Sequence, residues 1–243
     1  MYRFGFFLFI FCFQAKAEIH IAVATNFLMP MQEIKKKVED TNKIKLIVSY
    51  ASSGKLYNQI KNGAPFDVFL SADEQTPVRL EKEGLTVLGS RSTYATGSLV
   101  LWPTDSANSD QLKDFLSRTS FRKIAIAHPI QAPYGRAAVE VLKKLGIYSE
   151  LKTKLVQGEN IGQTYQFVQS KNASVGFLAL SQFKKMKKGD YMQVPDSLHS
   201  PLRQQVVILK HGASSPEAKT FLELLKSKEI KDIILSYGYR VNK

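Results

Sequence analysis

Ile19-His20-Ile21-Ala22-Val23-Ala24-Thr25-Asn26-Phe27 opens a stretch that continues through Met29 to Glu39 and reaches Ile44-Lys45-Leu46-Ile47-Val48-Ser49-Tyr50-Ala51-Ser52-Ser53-Gly54. Ile19 to Ala24 is a short apolar run and reads as a strand. Met29 to Glu39 places Met31, Ile34 and Val38 at helical spacing, so a helix follows it. Ile44 to Ser49 is a second strand, and Lys55 to Lys61 a second helix stopped by Asn62-Gly63. Strand, helix, strand, helix within so short a span is the mark of an α/β fold.

The same alternation continues downstream. Val68 to Leu70, Leu99 to Trp102, Ile124 to Ala127, Gly176 to Ala179 and Gln205 to Leu209 read as strands. Arg136 to Leu145, Gln163 to Gln169 and Pro216 to Leu225 read as helices. The expectation is an α/β protein with largely parallel sheets. The chain has no internal repeat, low-complexity tract or Pro- or Ser-rich linker, so a division into lobes has to come from elsewhere. Open α/β sheets bind ligands in a crevice beyond their strand ends.

The first residues bear on the compartment. Met1 to Arg3 carries one positive charge, Phe4 to Phe13 is almost unbroken apolar sequence, and Ala15-Lys16-Ala17 supplies a small-x-small cleavage site. That pattern reads as a secretory signal peptide over residues 1–17, with Glu18 first in the mature chain. A membrane anchor would need roughly 20 apolar residues, more than this segment has. Cys12, the one cysteine of the 243 residues, lies inside the segment behind the large Phe11 and so does not suit a lipoprotein. The mature chain would then have neither disulfide, thiol nucleophile nor cysteine metal site.

Without Arg3 and Lys16, 32 basic residues face 21 acidic ones, a net charge of +11. Such a balance suits nucleic acid, an anionic membrane or a small anion, and export argues against nucleic acid. The runs Lys35-Lys36-Lys37, Lys184-Lys185 and Lys187-Lys188 read as solvated faces that steer anions at a distance.

Four turns are rich in small and hydroxyl residues: Ala24-Thr25-Asn26, Ala51-Ser52-Ser53-Gly54, Ala132-Pro133-Tyr134-Gly135 and Glu159-Asn160-Ile161-Gly162. Each stands before a helix and can present free backbone N–H groups beside a hydroxyl or amide. A helix start carries roughly half a positive charge. Several starts converging on one point would hold a small dianion with no Lys or Arg. Any one of these turns, taken alone, is equally an ordinary N-cap.

Other motifs point away from catalysis. Asp67 and Asp73 suit internal capping or hydrogen bonding better than a metal or an acid pair. His20, His128, His199 and His211 are scattered without ligand spacing. Lys55 after Gly54 lacks the other residues of a P-loop, and no G-x-S-x-G elbow occurs. Arg136, the cation nearest Tyr134, is expected to run along its helix to the solvated surface.

Ala22-Val23-Ala24-Thr25-Asn26-Phe27 with Pro30-Met31 resembles the opening of the periplasmic molybdate-binding proteins of ABC transporters. Ser49-Tyr50-Ala51-Ser52-Ser53-Gly54-Lys55-Leu56 and, above all, Gly63-Ala64-Pro65-Phe66-Asp67-Val68-Phe69-Leu70-Ser71-Ala72-Asp73 resemble their next segments in order. Gly97-Ser98-Leu99-Val100, Ala132-Pro133-Tyr134-Gly135 and Tyr237-Gly238-Tyr239 extend the likeness over the mature chain.

The resemblance implies a type II periplasmic binding protein fold, two α/β lobes with a ligand cleft between them. Residues 18–97 with 203–243 would form one lobe and 98–202 the other. It further implies that Thr25, Asn26, Ser53, Tyr134 and the backbone of Ile161 hold molybdate or tungstate through its oxygens, with no direct metal ligand. Ala179 stands where one branch of the family has a further tyrosine, whose place Tyr134 can take. The implied protein is a periplasmic, non-enzymatic monomer without a cofactor, delivering its ligand to a membrane permease. Two alternatives stay open: a sulfate- or thiosulfate-type receptor, and an exported enzyme acting on phosphate esters.

Overall fold

Ile19, Ile21, Ala22 and Val23 are fully buried although they are neighbours in sequence, so the first strand must be covered on both faces. A strand in the middle of an α/β sheet meets that condition. The computed structural model describes residues 18–103, 111–118, 121–183 and 191–241. The expected leader 1–17 and the lysines Lys184, Lys185, Lys187 and Lys188 lie outside the described residues.

In chain order the elements begin with β1 (Glu18–Ala24), a 3-10 turn (Thr25–Phe27), α1 (Leu28–Asn42), β2 (Lys45–Ala51) and α2 (Ser53–Lys61). β3 (Val68–Ser71), α3 (Gln75–Lys82), β4 (Ser92–Thr96), β5 (Leu99–Trp102), α4 (Leu112–Leu116) and β6 (Ile124–Ala127) follow. Next come α5 (Pro133–Lys144), α6 (Tyr148–Leu151), β7 (Leu155–Gly158), α7 (Ile161–Gln169), β8 (Val175–Ala179) and β9 (Met192–Gln193). The chain ends with β10 (Arg203–Ile208), α8 (Pro216–Lys226) and α9 (Lys228–Ser236).

Two five-stranded sheets result, ordered β2-β1-β3-β10-β4 and β7-β6-β8-β5-β9. The expectation of largely parallel sheets needs correction. β2, β1 and β3 run parallel, as do β7, β6 and β8. β10 and β5 run antiparallel to both of their neighbours. Parallel neighbours are joined through crossover helices. β5 and β10 instead arrive from the other sheet, so nothing forces them to run with their neighbours.

The chain passes from the first sheet to the second between Thr96 and Leu99, and returns between Gln193 and Arg203. The passages lie side by side: Gly97 N–H donates to the Leu202 carbonyl at 2.9 Å, and Thr96 exchanges backbone bonds with Arg240 at 2.7 and 2.9 Å. Period-two alternation sorts the first sheet's side chains. Val68, Leu70, Val206 and Ile208 join Met31, Phe221 and Ile234 in one core layer. Phe69 and Val207 join Leu56 and Leu80 in the layer on the opposite face.

α1 begins one residue earlier than expected, at Leu28, and α2 two residues earlier, at Ser53; α5 and α7 also begin earlier, and these two differences matter for the site. α5 starts at Pro133, whose fixed φ and missing N–H suit a first helical position. α7 starts at Ile161, because the Asn160 side chain caps it by accepting from Gly162 N–H at 2.9 Å and Gln163 N–H at 3.1 Å.

Candidate functional site

The carboxyl ends of β1 and β2 in one sheet face the helices that follow β6 and β7 in the other. A small cavity of about 10 Å³ lies between them. From the first sheet it is lined by Ala24, Thr25, Asn26, Ser52, Ser53 and Ala72; from the second by Ala132, Pro133, Tyr134, Asn160 and Ile161. All five residues expected to hold the ligand therefore meet at one place. Each stands in the first turn of a helix: the 3-10 turn for Thr25 and Asn26, α2 for Ser53, α5 for Tyr134 and α7 for Ile161.

Their side chains are engaged differently. Ser53 Oγ accepts from Ala72 N–H at 3.0 Å, which leaves the hydroxyl hydrogen to donate. Asn26 is 3 % exposed, and its side-chain Nδ2 donates to Gln204 Oε1 at 2.7 Å and Tyr239 Oη at 2.8 Å. Its carbonyl accepts from Ser181 Oγ at 2.8 Å. The Asn26 amide is thus tied into a network with β10 and the C-terminal segment, and what it offers the cavity is backbone.

Among the described residues the Tyr134 hydroxyl has no hydrogen-bond partner. Its polar neighbours are Tyr239 and Asn26. Burial pushes the phenol well above its ordinary value, so it is a neutral donor. At α7, the Asn160 side chain serves the N–H groups of Gly162 and Gln163 and not that of Ile161.

Ser52 escaped the sequence reading. It is the N-cap of α2 but makes no side-chain capping bond, and its buried Oγ has no partner among the described residues. In Ser52-Ser53 the two hydroxyls are interchangeable as symbols; only their placement separates them.

No charged side chain lines the cavity among the described residues. Arg136 departs from expectation. It does not lie along its helix in solvent: its Nη2 donates to Asp73 Oδ2 at 2.7 Å, reaching across to the first sheet. Lys55 pairs with Glu159 at 3.5 Å. Asp67 and Asp73 serve structure, as expected. Asp67 accepts from His20 N–H at 2.7 Å and lies 2.7 Å from His211 Nδ1. Asp73 Oδ1 accepts from Thr76 N–H and Ser71 Oγ, each at 3.1 Å. The described residues contain no group of three or more His, Cys, Asp or Glu able to hold a metal ion.

A wider, open depression runs nearby over Ser49, Lys55, Gln59, Gly63 and Glu159. It is open to solvent and touches the starts of α2 and α7 alone, whereas the small cavity gathers four helix starts and is the better candidate.

Comparison with known proteins agrees with this geometry. Residues 19–240 match the family model described as bacterial extracellular solute-binding protein. A protein of Azotobacter vinelandii named molybdate-binding protein ModA is 46 % identical over 231 residues, covering 94 % of this chain and 92 % of that one. One of the same name from Rhodobacter capsulatus is 44 % identical, covering 93 % and 89 %. The solved Azotobacter vinelandii periplasmic molybdate-binding protein superposes with a TM-score of 0.87 at 34 % identity, over 93 % of this chain and 100 % of that chain. A cavity between two α/β sheets, closed by helix starts, and a family match along nearly the whole described chain lead to one conclusion: the chain belongs to the bacterial extracellular solute-binding proteins.

Proposed function

We propose that the protein captures molybdate or tungstate in the periplasm and delivers it to the membrane permease of an ABC transporter, acting as a binding protein and not as an enzyme. One observation carries the reading. Four helix starts and two buried hydroxyls without protein partners, on Ser52 and Tyr134, converge on a cavity free of charged side chains. Helix starts and neutral donors stabilise a dianion while leaving no fixed counter-charge. The names of the Azotobacter and Rhodobacter relatives support the same ligand class.

In this reading Ser53 and Tyr134 donate through hydroxyls, and Thr25, Asn26 and Ile161 through first-turn backbone N–H groups. Residues 18–97 with 203–243 and residues 98–202 are the two lobes, and residues 1–17 direct export. Sulfate has the same shape and charge in a smaller body, so cavity size discriminates. Protonated phosphate wants a carboxylate acceptor, and Glu159 is turned away to Lys55.

Calorimetric titration with molybdate, tungstate, sulfate and phosphate tests the proposal. Molybdate and tungstate should bind at least a hundredfold more tightly than sulfate, about 2.7 kcal/mol. Equal or tighter sulfate binding would reassign the protein to the sulfate receptors.

A further inference from the structure

We propose that Arg136 and Asp73 form a latch between the lobes that sets how long the bound anion is held, without either residue touching it. The inference rests on the ligand reading above and adds to it a pair of positioning residues. Asp73 follows β3 in the first lobe; Arg136 lies in the first turn of α5 in the second. Their 2.7 Å bond therefore exists only while the cleft is shut.

The carboxylate is prepared for the role. Its side chain is only 7 % exposed, and Oδ1 is already fixed by Thr76 N–H and Ser71 Oγ. Oδ2 is left facing the other lobe, where Arg136 meets it. Charge-assisted bonds of this kind are stronger than neutral ones, and Asp73 is buried enough to escape most solvent screening.

The pair also stands directly behind the contact residues. Ala72, next to Asp73, gives its N–H to Ser53 Oγ; Tyr134 lies two residues before Arg136. Beside the pair, Gly54 N–H donates to the Gln131 carbonyl at 2.9 Å. A Cβ at Gly54 would lie only 2.9 Å from Gln131 Cα, so the two backbones touch there. Opening the cleft must break both connections and rehydrate both ions. Asp73 meanwhile neutralises the Arg136 guanidinium, which keeps the cavity a cage of neutral donors. Ligand-free molecules close only in part, so the latch, which every departing anion must break, slows departure in full and arrival by less than twofold.

Stopped-flow measurement with molybdate, in wild type, Arg136→Gln, Asp73→Asn and the double variant, separates latch from contact. Each single variant should dissociate about five- to thirtyfold faster, taking a charge-assisted bond discounted for the one-third-exposed arginine. Association should change less than twofold, the double variant should be no faster than the singles, and Arg136→Lys should recover part of the loss. If Asp73→Asn holds molybdate as long as wild type or longer while Arg136→Gln loses it, the guanidinium binds the anion and the latch is wrong. Additive losses, or none, also overturn it. Unliganded melting curves identify any variant that fails to fold.

Should wild type not bind molybdate, the ligand reading is what has failed. The latch is then read from small-angle scattering of the ligand-free proteins. Wild type should be more compact than the variants, and equal radii of gyration reject the latch.

Discussion

The hydroxyl of Tyr134 rests against the α-carbon of Gly97, so closely that a Cβ built there would stand 2.1 Å from it. Tyr134 belongs to α5 and Gly97 to the passage between β4 and β5, so the tyrosine proposed to face the ligand is seated on the crossing strand. Gly97→Ala should therefore displace the tyrosine and weaken molybdate binding at least tenfold. Overpacking of this sort costs about 1–3 kcal/mol of stability. Titration calorimetry and urea unfolding measure the two effects, and unchanged affinity in a folded variant would remove Tyr134 from the site.

Ser53 and Asn26 should behave differently when each is changed to alanine. Ser53→Ala removes a donor to a charged ligand, a bond worth about 1.5–3 kcal/mol, so affinity should fall about ten- to a hundredfold. Asn26→Ala instead leaves the buried Gln204 Oε1 without its donor, while Tyr239 keeps the Asn26 backbone carbonyl and Ser181 Oγ; an unmet buried group costs about 1–3 kcal/mol. It should lower the urea midpoint of the ligand-free protein more than Ser53→Ala does. The reverse order would show that the Asn26 amide, not its backbone, serves the ligand.

Alkaline pH should unfold the protein. Burial raises Tyr94, Tyr134 and Tyr239 above the ordinary phenol value of 10.0. The unfolded chain releases these protons first, so the stability they contribute is complete below pH 10 and declines as pH rises past it. Each such group contributes a slope of about 1.4 kcal/mol per pH unit. The hydroxyl of Tyr94 has no protein partner, so Tyr94→Phe should leave stability at pH 7 unchanged or higher and flatten the alkaline decline. Urea titrations at pH 8, 10 and 11 provide the check; an equally steep decline in Tyr94→Phe would exclude that tyrosine as a source.

Exposed charge should act on arrival alone. The Lys55–Glu159 pair bridges the cleft, but its side chains are 52 % and 67 % exposed, and exposed pairs contribute about 0–1 kcal/mol. Lys55→Gln should change dissociation less than twofold. Added salt should slow association modestly by screening the basic surface. A marked rise in dissociation of Lys55→Gln would mean that this pair, too, holds the cleft shut.

Much of the fold could be read along the chain wherever apolar runs were unbroken. β1, β3 and β6 were legible because they are continuous apolar runs buried on both faces, and α1 because its buried residues repeat at helical spacing. β4, with Ser92, Thr93 and Thr96, and the half-exposed β7 carry too little apolar contrast to declare themselves. The antiparallel course of β5 and β10 had no local signal, since direction depends on where a strand enters its sheet.

For the site, residue types singled out four turns, because small and hydroxyl residues before a helix mark its unsatisfied N–H groups, and the resemblance to the molybdate-binding proteins implied five residues within them, all of which line one cavity. The chain alone thus determined the strands and helices with strong apolar patterning, the residue types at several helix starts and a basic charge balance, all of which depend on neighbours in sequence. Tertiary structure decided which polar groups were already taken. Asn26 gives its amide to Gln204, 178 residues away, and Arg136 gives its charge to Asp73, 63 residues away. Ser52 keeps a hydroxyl that neighbouring Ser53 shares with Ala72. A hydrogen bond or ion pair depends on distances of about 3 Å in space, and residues so far apart in sequence acquire those distances only when the two lobes have folded and met.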